Sequence, residues 1–200
     1  MQIINYIVYA AIFVVIILGF YFLGKIVKFL LKRSLEITGF NDWFKHISMG
    51  RLTLRAGMTG GDFFGSLIAY FLYATGVILA IDFISNEILK ELKVASALLT
   101  IGLGYTALFV FTIIIGFILI DVFDSYITSE AKLRGGQELE ILIVYIKIVL
   151  YITVITLAMK EVKLDVTPLM ILLQPLAWGL AIAFVALILS RYLRRAWDGI

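Results

Sequence analysis

The chain has no cysteine and a single histidine, His46. Disulfides, thiolate metal sites and thiol nucleophiles are therefore excluded. With one imidazole, a His-based metal site or Ser-His-Asp triad is excluded as well. Proline is almost missing: Pro168 and Pro175 are the only two in 200 residues, so few helices are interrupted. Charge is scarce too, at 16% of residues, and the net +3 is too small to argue for nucleic acid as a partner. The acids Asp62, Asp82, Asp121 and Asp124 lie near the ends of apolar stretches. No paired acids or Ser/Lys couple sit deep within one, so no catalytic residue, cofactor site or metal site is expected, and the chain does not read as an enzyme.

What the chain does have is apolar residues, 62% of the total, more than a soluble domain can bury. They fall into five stretches, 3–23, 63–81, 94–120, 141–159 and 166–189. Each of these roughly 19 to 27 residues can cross a hydrocarbon core of about 30 Å as a helix. The expected fold is an all-α integral membrane protein of about five spans in one transmembrane domain, 1–200. The first stretch lacks a basic leader and a small-residue cleavage site, so it reads as a retained helix rather than a signal peptide.

Lysine and arginine orient the spans. Lys25, Lys28, Lys32, Arg33, Lys45, Arg51, Arg55, Lys132, Arg134, Arg191, Arg194 and Arg195 fall on one side of a five-span layout. Lys90, Lys93, Lys160 and Lys163 fall on the other. The positive-inside bias then predicts an outer N-terminus and a cytoplasmic C-terminus in a multi-pass cell-membrane protein. Segment 34–62 mixes Trp43, Phe44, Ile47 and Leu54 with cations. It is expected along the cytoplasmic interface, facing anionic headgroups, with its Gly57–Gly61 tail as a flexible turn.

Two echoes suggest an internal repeat. The first, third and fifth stretches each end in charges three residues apart: Lys25/Lys28, Asp121/Asp124 and Arg191/Arg194. The segments Leu92–Leu99 and Leu164–Ile171 also resemble one another. A duplicated helix hairpin plus one further helix accounts for both.

Gly19, Lys25, Lys28, Lys32 and Arg33, followed by Ile37-Thr38-Gly39-Phe40-Asn41-Asp42, resemble the conserved transmembrane-helix repeat of relatives of the small-conductance mechanosensitive channels. Leu164-Asp165-Val166-Thr167-Pro168-Leu169 and Gln174-Pro175-Leu176-Ala177-Trp178-Gly179-Leu180-Ala181 resemble the hairpin and last membrane helix of the same superfamily. The family's glycine-rich stretch and cytosolic β-rich domain have no counterpart here, which implies a membrane-only relative. The resemblance implies a homo-oligomer that passes small solutes or ions in response to bilayer tension. The alternative is a non-conducting accessory subunit that packs against another membrane protein. A proton-coupled transporter is weaker, for want of a mid-span acid.

The candidate sites follow from this frame. Ala177, Gly179, Ala181, Ala183 and Ala186 line either a pore or subunit interface, or an ordinary small-residue packing seam. Gly102, Gly104 and Ala107 offer the same choice. Gln174 beside Pro175 lines a water path or satisfies a freed carbonyl. Asp121 and Asp124 either pair with Lys25/Lys28 or Arg191/Arg194 at the cytoplasmic ends or stand as solvated boundary charges. Lys147, the one basic residue within a span, needs a partner, a wet cavity or a route to the interface, and snorkelling to the headgroups is the preferred expectation.

Overall fold

In the computed structural model the backbone is described for residues 2–87, 91–134 and 137–197, and side chains within helices for 6–86, 91–129, 142–186 and Leu189. The elements are α1 (Gln2–Ile37), α2 (Phe40–Phe44), α3 (Ser48–Arg55), α4 (Gly60–Glu87), α5 (Leu92–Arg134), α6 (Gln137–Glu161) and α7 (Thr167–Trp197). Five of them, α1, α4, α5, α6 and α7, are long and apolar enough to cross a membrane. Their apolar side chains surround the helices rather than forming one stripe, and large ones such as Val15, Phe22, Ile115, Ile171 and Trp178 stand exposed. A helix apolar on all sides suits lipid, where no face needs water. The helices also outrun the apolar stretches, because charged residues such as Lys25, Lys28 and Lys32 continue the helical ladder without breaking it.

The chain divides into two compact units, Met1–Ala107 and Leu108–Ile200, with α5 contributing its first part to one and the rest to the other. In the first unit α1 and α4 run antiparallel. Lys32 meets Asp62, Gly24 meets Tyr73, Phe20 meets Gly76, and Tyr9 meets Phe83. The buried face of α4 is a ladder of small residues: Gly61, Gly65, Ala69, Gly76 and Ala80. A Cβ on Gly61 or Gly65 would lie 3.1 Å or 3.0 Å from the carbonyl oxygens of Lys32 and Lys28, so here the two backbones nearly touch. In lipid, dispersion contacts of this kind replace the hydrophobic effect as the glue between helices. At the other end of α4, the Ser96 hydroxyl of α5 donates to Asp82 at 2.9 Å, and Ser85 and Ser96 are both buried.

Segment 38–59 folds into a compact elbow. Gly39 (φ 70°) lets the chain leave α1, and Gly57 (φ 76°) lets it leave α3, in the left-handed region where a side chain is penalised. Phe44, almost fully buried, stacks on Phe40 and packs against the rings of Phe63 and Phe64. The Gly57–Gly61 stretch is no flexible turn. The Thr59 hydroxyl accepts from the Asp62 amide (3.1 Å) and donates to the Asp62 carboxylate (2.9 Å), while the Asn41 side chain accepts from the Gly61 amide at 2.8 Å. A side-chain oxygen takes amides that have no partner within the helix, which fixes the start of α4 at Gly60.

In the second unit Gly116 of α5 faces Val154 of α6, and Phe117 meets Tyr151 edge-on at 4.8 Å. The turn after α6 places Lys163 in the left-handed conformation (φ 58°), with the Leu164 amide donating back to Met159 at 3.0 Å. Asp165 then accepts from the Thr167 amide at 2.9 Å, and Pro168 follows in the first turn of α7, where its missing N–H costs nothing.

Candidate functional site

The main polar cluster of the second unit lies between α5 and α6. Lys147 Nζ stands 2.5 Å from Asp124 Oδ2 and 3.9 Å from Asp121 Oδ1, and the Tyr151 hydroxyl donates to Asp121 Oδ1 at 3.2 Å. The Asp121 side chain is 5% exposed, whereas those of Asp124 and Lys147 keep 28% and 27%. Ile120, Phe123, Ile127, Ile143, Ile146 and Leu150 surround the pair. Apolar walls weaken the competition from water, so each charge depends on the other.

Asp121 and Asp124 have Lys147 of the neighbouring helix, within their own unit, as a partner. For Lys147 this is the partner option among the partner, wet cavity or interface route that a charge within a span requires. The physical reason is antiparallel packing of α5 and α6, which brings positions 124 and 147 to one level. Lys25 instead places its ammonium 4.5 Å from the centre of the Tyr21 ring. The ion pair of α1 belongs to Lys32, 2.8 Å from Asp62. Lys28 contributes its backbone to the Gly65 contact. The side chains of Arg191 and Arg194, and the Gly135-Gly136 turn, lie outside the described residues.

On α7 the small residues do not share one role. The Cβ position of Gly179 lies 3.0 Å from the Tyr145 hydroxyl of α6, which donates to the Leu176 carbonyl at 2.7 Å. Ala183 is half-buried, while Ala177, Ala181, Ala186 and Gln174 are exposed. Gly102 and Gly104 open onto empty space. The small-residue seam that brings two backbones together is on α4. Its signal was present as Gly61-x-x-x-Gly65-x-x-x-Ala69, a spacing of four that places all three on one helical face.

The same contacts recur in the two units. Tyr21 packs on Tyr73 at 5.5 Å, and Phe117 on Tyr151 at 4.8 Å. Phe20 fills the space beside Gly76, and Val154 fills the space beside Gly116. Each second contact lies 96 residues on along the first helix (20 to 116, 21 to 117) and 78 along the second (73 to 151, 76 to 154). The large and small partners exchange helices between the two, and Lys25 and Lys28 correspond in register to Asp121 and Asp124.

Comparison with known families finds a match to "Mechanosensitive ion channel, conserved TM helix" over residues 1–43. Those residues cover all of α1 and the start of the elbow. The match shows that α1 is similar to that conserved helix. No curated protein and no solved structure matches the chain. The matched helix packs closely on α4. Its Gly24 is buried, and a Cβ there would lie 2.2 Å from the Tyr73 ring.

Outside the spans, two carboxylates are held below the usual range. The Lys45 ammonium, hydrogen-bonded to Asp42 at 2.7 Å, does this for Asp42, and hydrogen bonds from Thr167 do it for Asp165. Among the described residues no group of three His, Asp or Glu side chains could hold a metal ion.

Proposed function

We propose that the chain is one subunit of a homo-oligomeric channel of the cell membrane that passes small solutes or ions when bilayer tension rises. The observation that carries this reading is the match of residues 1–43 to the conserved transmembrane helix of mechanosensitive ion channels. The reading places the N-terminus outside and the C-terminus in the cytoplasm, following the distribution of lysine and arginine. It treats α1–α4 and α5–α6 as two copies of one hairpin, with α7 as the added helix. The recurrent contacts support that duplication. The basic residues of the cytoplasmic ends then face anionic headgroups.

The subunit contact is assigned to the exposed side of α7, where Gln174, Ala177 and Ala181 leave room for a second helix to approach. The activity is physical rather than enzymatic: tension favours whichever state occupies more membrane area, and the packed hairpins move as bodies. Purified protein in lipid patches under graded suction tests the reading. Stepwise currents that appear with tension support it. Silence beside a responding control channel overturns it and leaves the accessory role.

A further inference from the structure

The elbow between α1 and α4 is extra chain. Between equivalent contacts the first hairpin is 18 residues longer than the second, since the offset drops from 96 on one helix to 78 on the next. In the second hairpin α5 ends at Arg134 and α6 begins at Gln137, whereas the first runs from Ile37 to Gly60 through α2 and α3. Insertions in one copy of a repeat gather on one face and commonly carry binding.

The elbow buries Phe44 and Ile47 but leaves other large apolar side chains open. α3 turns Gly50 and Thr53 inward, and a Cβ on Gly50 would collide with the Phe44 carbonyl. Trp43 (43% exposed), Leu52 (63%), Leu54 (47%) and Met58 (37%) stay open, interleaved with exposed Lys45, Arg51 and Arg55. Arg51 also braces the preceding turn, donating to the His46 carbonyl at 2.8 Å and the Ser48 hydroxyl at 3.0 Å. Asn41 and Phe44 fasten this surface to the first turn of α4, level with the Lys32–Asp62 ion pair. Cations and a tryptophan gathered at the end of apolar helices are the side chains that membrane–water interfaces favour.

We infer that the elbow is a docking surface for anionic phospholipid headgroups, with Trp43 and the exposed leucines reaching into the upper acyl region and Arg55 and Arg51 reading phosphate charge. Amphipathic non-spanning segments bind interfaces through these two contributions, apolar area and cation–headgroup attraction. The lipid recognised is defined by its net negative charge. Because the elbow is bolted to both α1 and α4, the bound lipid couples to the hairpin itself. The inference concerns lipid binding and stands or falls independently of conduction.

The test uses the full chain carrying Trp178→Phe and Trp197→Phe, so that Trp43 is the sole tryptophan. It is reconstituted in vesicles of phosphatidylcholine and phosphatidylglycerol in which one lipid or the other is brominated in its upper acyl chain. Trp43 emission should be quenched by brominated lipid and shielded from aqueous acrylamide. Brominated phosphatidylglycerol should be favoured about fivefold, the equivalent of about 1 kcal/mol for one juxtamembrane cation. Arg55→Gln should abolish the preference and Arg55→Lys should keep it. Raising salt from about 0.1 M to about 1 M, which shortens the screening length from about 10 Å to 3 Å, should also erase it. Equal quenching by both lipids overturns the inference, as does a preference that survives both Arg55→Gln and high salt. Quenching by acrylamide alone overturns it in favour of a solvated loop. Protection from both quenchers overturns it in favour of a protein partner.

Discussion

Lys147 and Asp124 meet across α5 and α6 with 2.5 Å between Nζ and Oδ2, inside walls of isoleucine, leucine and phenylalanine. Removing one partner strands the other. Lys147→Met or Asp124→Leu alone should destabilise the protein in detergent by about 1–3 kcal/mol, while the double change should recover much of the loss. Thermal melts of the four proteins in a double-mutant cycle measure this. A coupling below about 0.3 kcal/mol would mean that the pair contributes nothing specific.

Gly76 has no room for a side chain, because its Cβ would sit 2.3 Å from Phe20 Cβ. Gly76→Leu should therefore separate α1 from α4 and cost about 2 kcal/mol or more through overpacking. Phe20→Gly added to it should restore stability in part, since it removes the clashing Cβ and the equivalent position of the second hairpin already pairs a glycine on the first helix with Val154 on the second. Melting temperature and protease resistance report both effects.

On α7 neighbouring small residues should separate two roles. Gly179→Leu meets the Tyr145 hydroxyl, so it should lower monomer stability by about 1–3 kcal/mol through strain at the α6–α7 contact. Ala181→Leu, on the exposed side, should leave stability nearly unchanged but shift the oligomer seen by native mass spectrometry. An unchanged oligomer in Ala181→Leu would remove α7 from the subunit contact.

Two exposed carboxylates predict a pH response at the loops. Hydrogen bonding holds Asp165 and Asp42 below their unfolded values. Their stabilisation is complete above the ordinary aspartate range near 3.9 and is lost as pH falls through the lowered folded values. Carboxyl carbon NMR should show Asp42 titrating below that reference in wild-type protein. In Lys45→Ala its midpoint should move upward. An unchanged midpoint would exclude the hydrogen-bonded ion pair as the cause.

The five spans were legible because about 20 apolar residues in a row have one physical solution. Helix ends were not: Lys25, Lys28 and Lys32 look like a boundary, yet α1 runs on to Ile37 because Lys has good helix propensity and a long stem. The pairing of Asp124 with Lys147 was hidden because it depends on which helices become neighbours, a tertiary fact between partners 23 positions apart. The packing seam is written in the Gly61/Gly65/Ala69 spacing, and the alanine-rich run of α7 carries the same small-residue signature. Composition alone does not distinguish a contacting face from an exposed one. The capped start of α4 resembled a flexible turn for a similar reason. Glycines suggest freedom unless Asn41, twenty residues earlier, is known to reach back to Gly61.

The Lys147–Asp124 pair also bears on how the chain enters the membrane. A lone lysine in a span costs about 2.5–3.5 kcal/mol on insertion, which marks α6 as a poor recruit by itself. Asp124 leaves the ribosome shortly before Lys147, on the helix that α6 packs against. Partition of α5 and α6 as a ready-neutralised hairpin spares the lipid either bare charge. The order of synthesis thus becomes part of the design: acid first, then base. Chains with Asp124→Leu should show more α6 left uninserted, readable by glycosylation tags placed after Glu161.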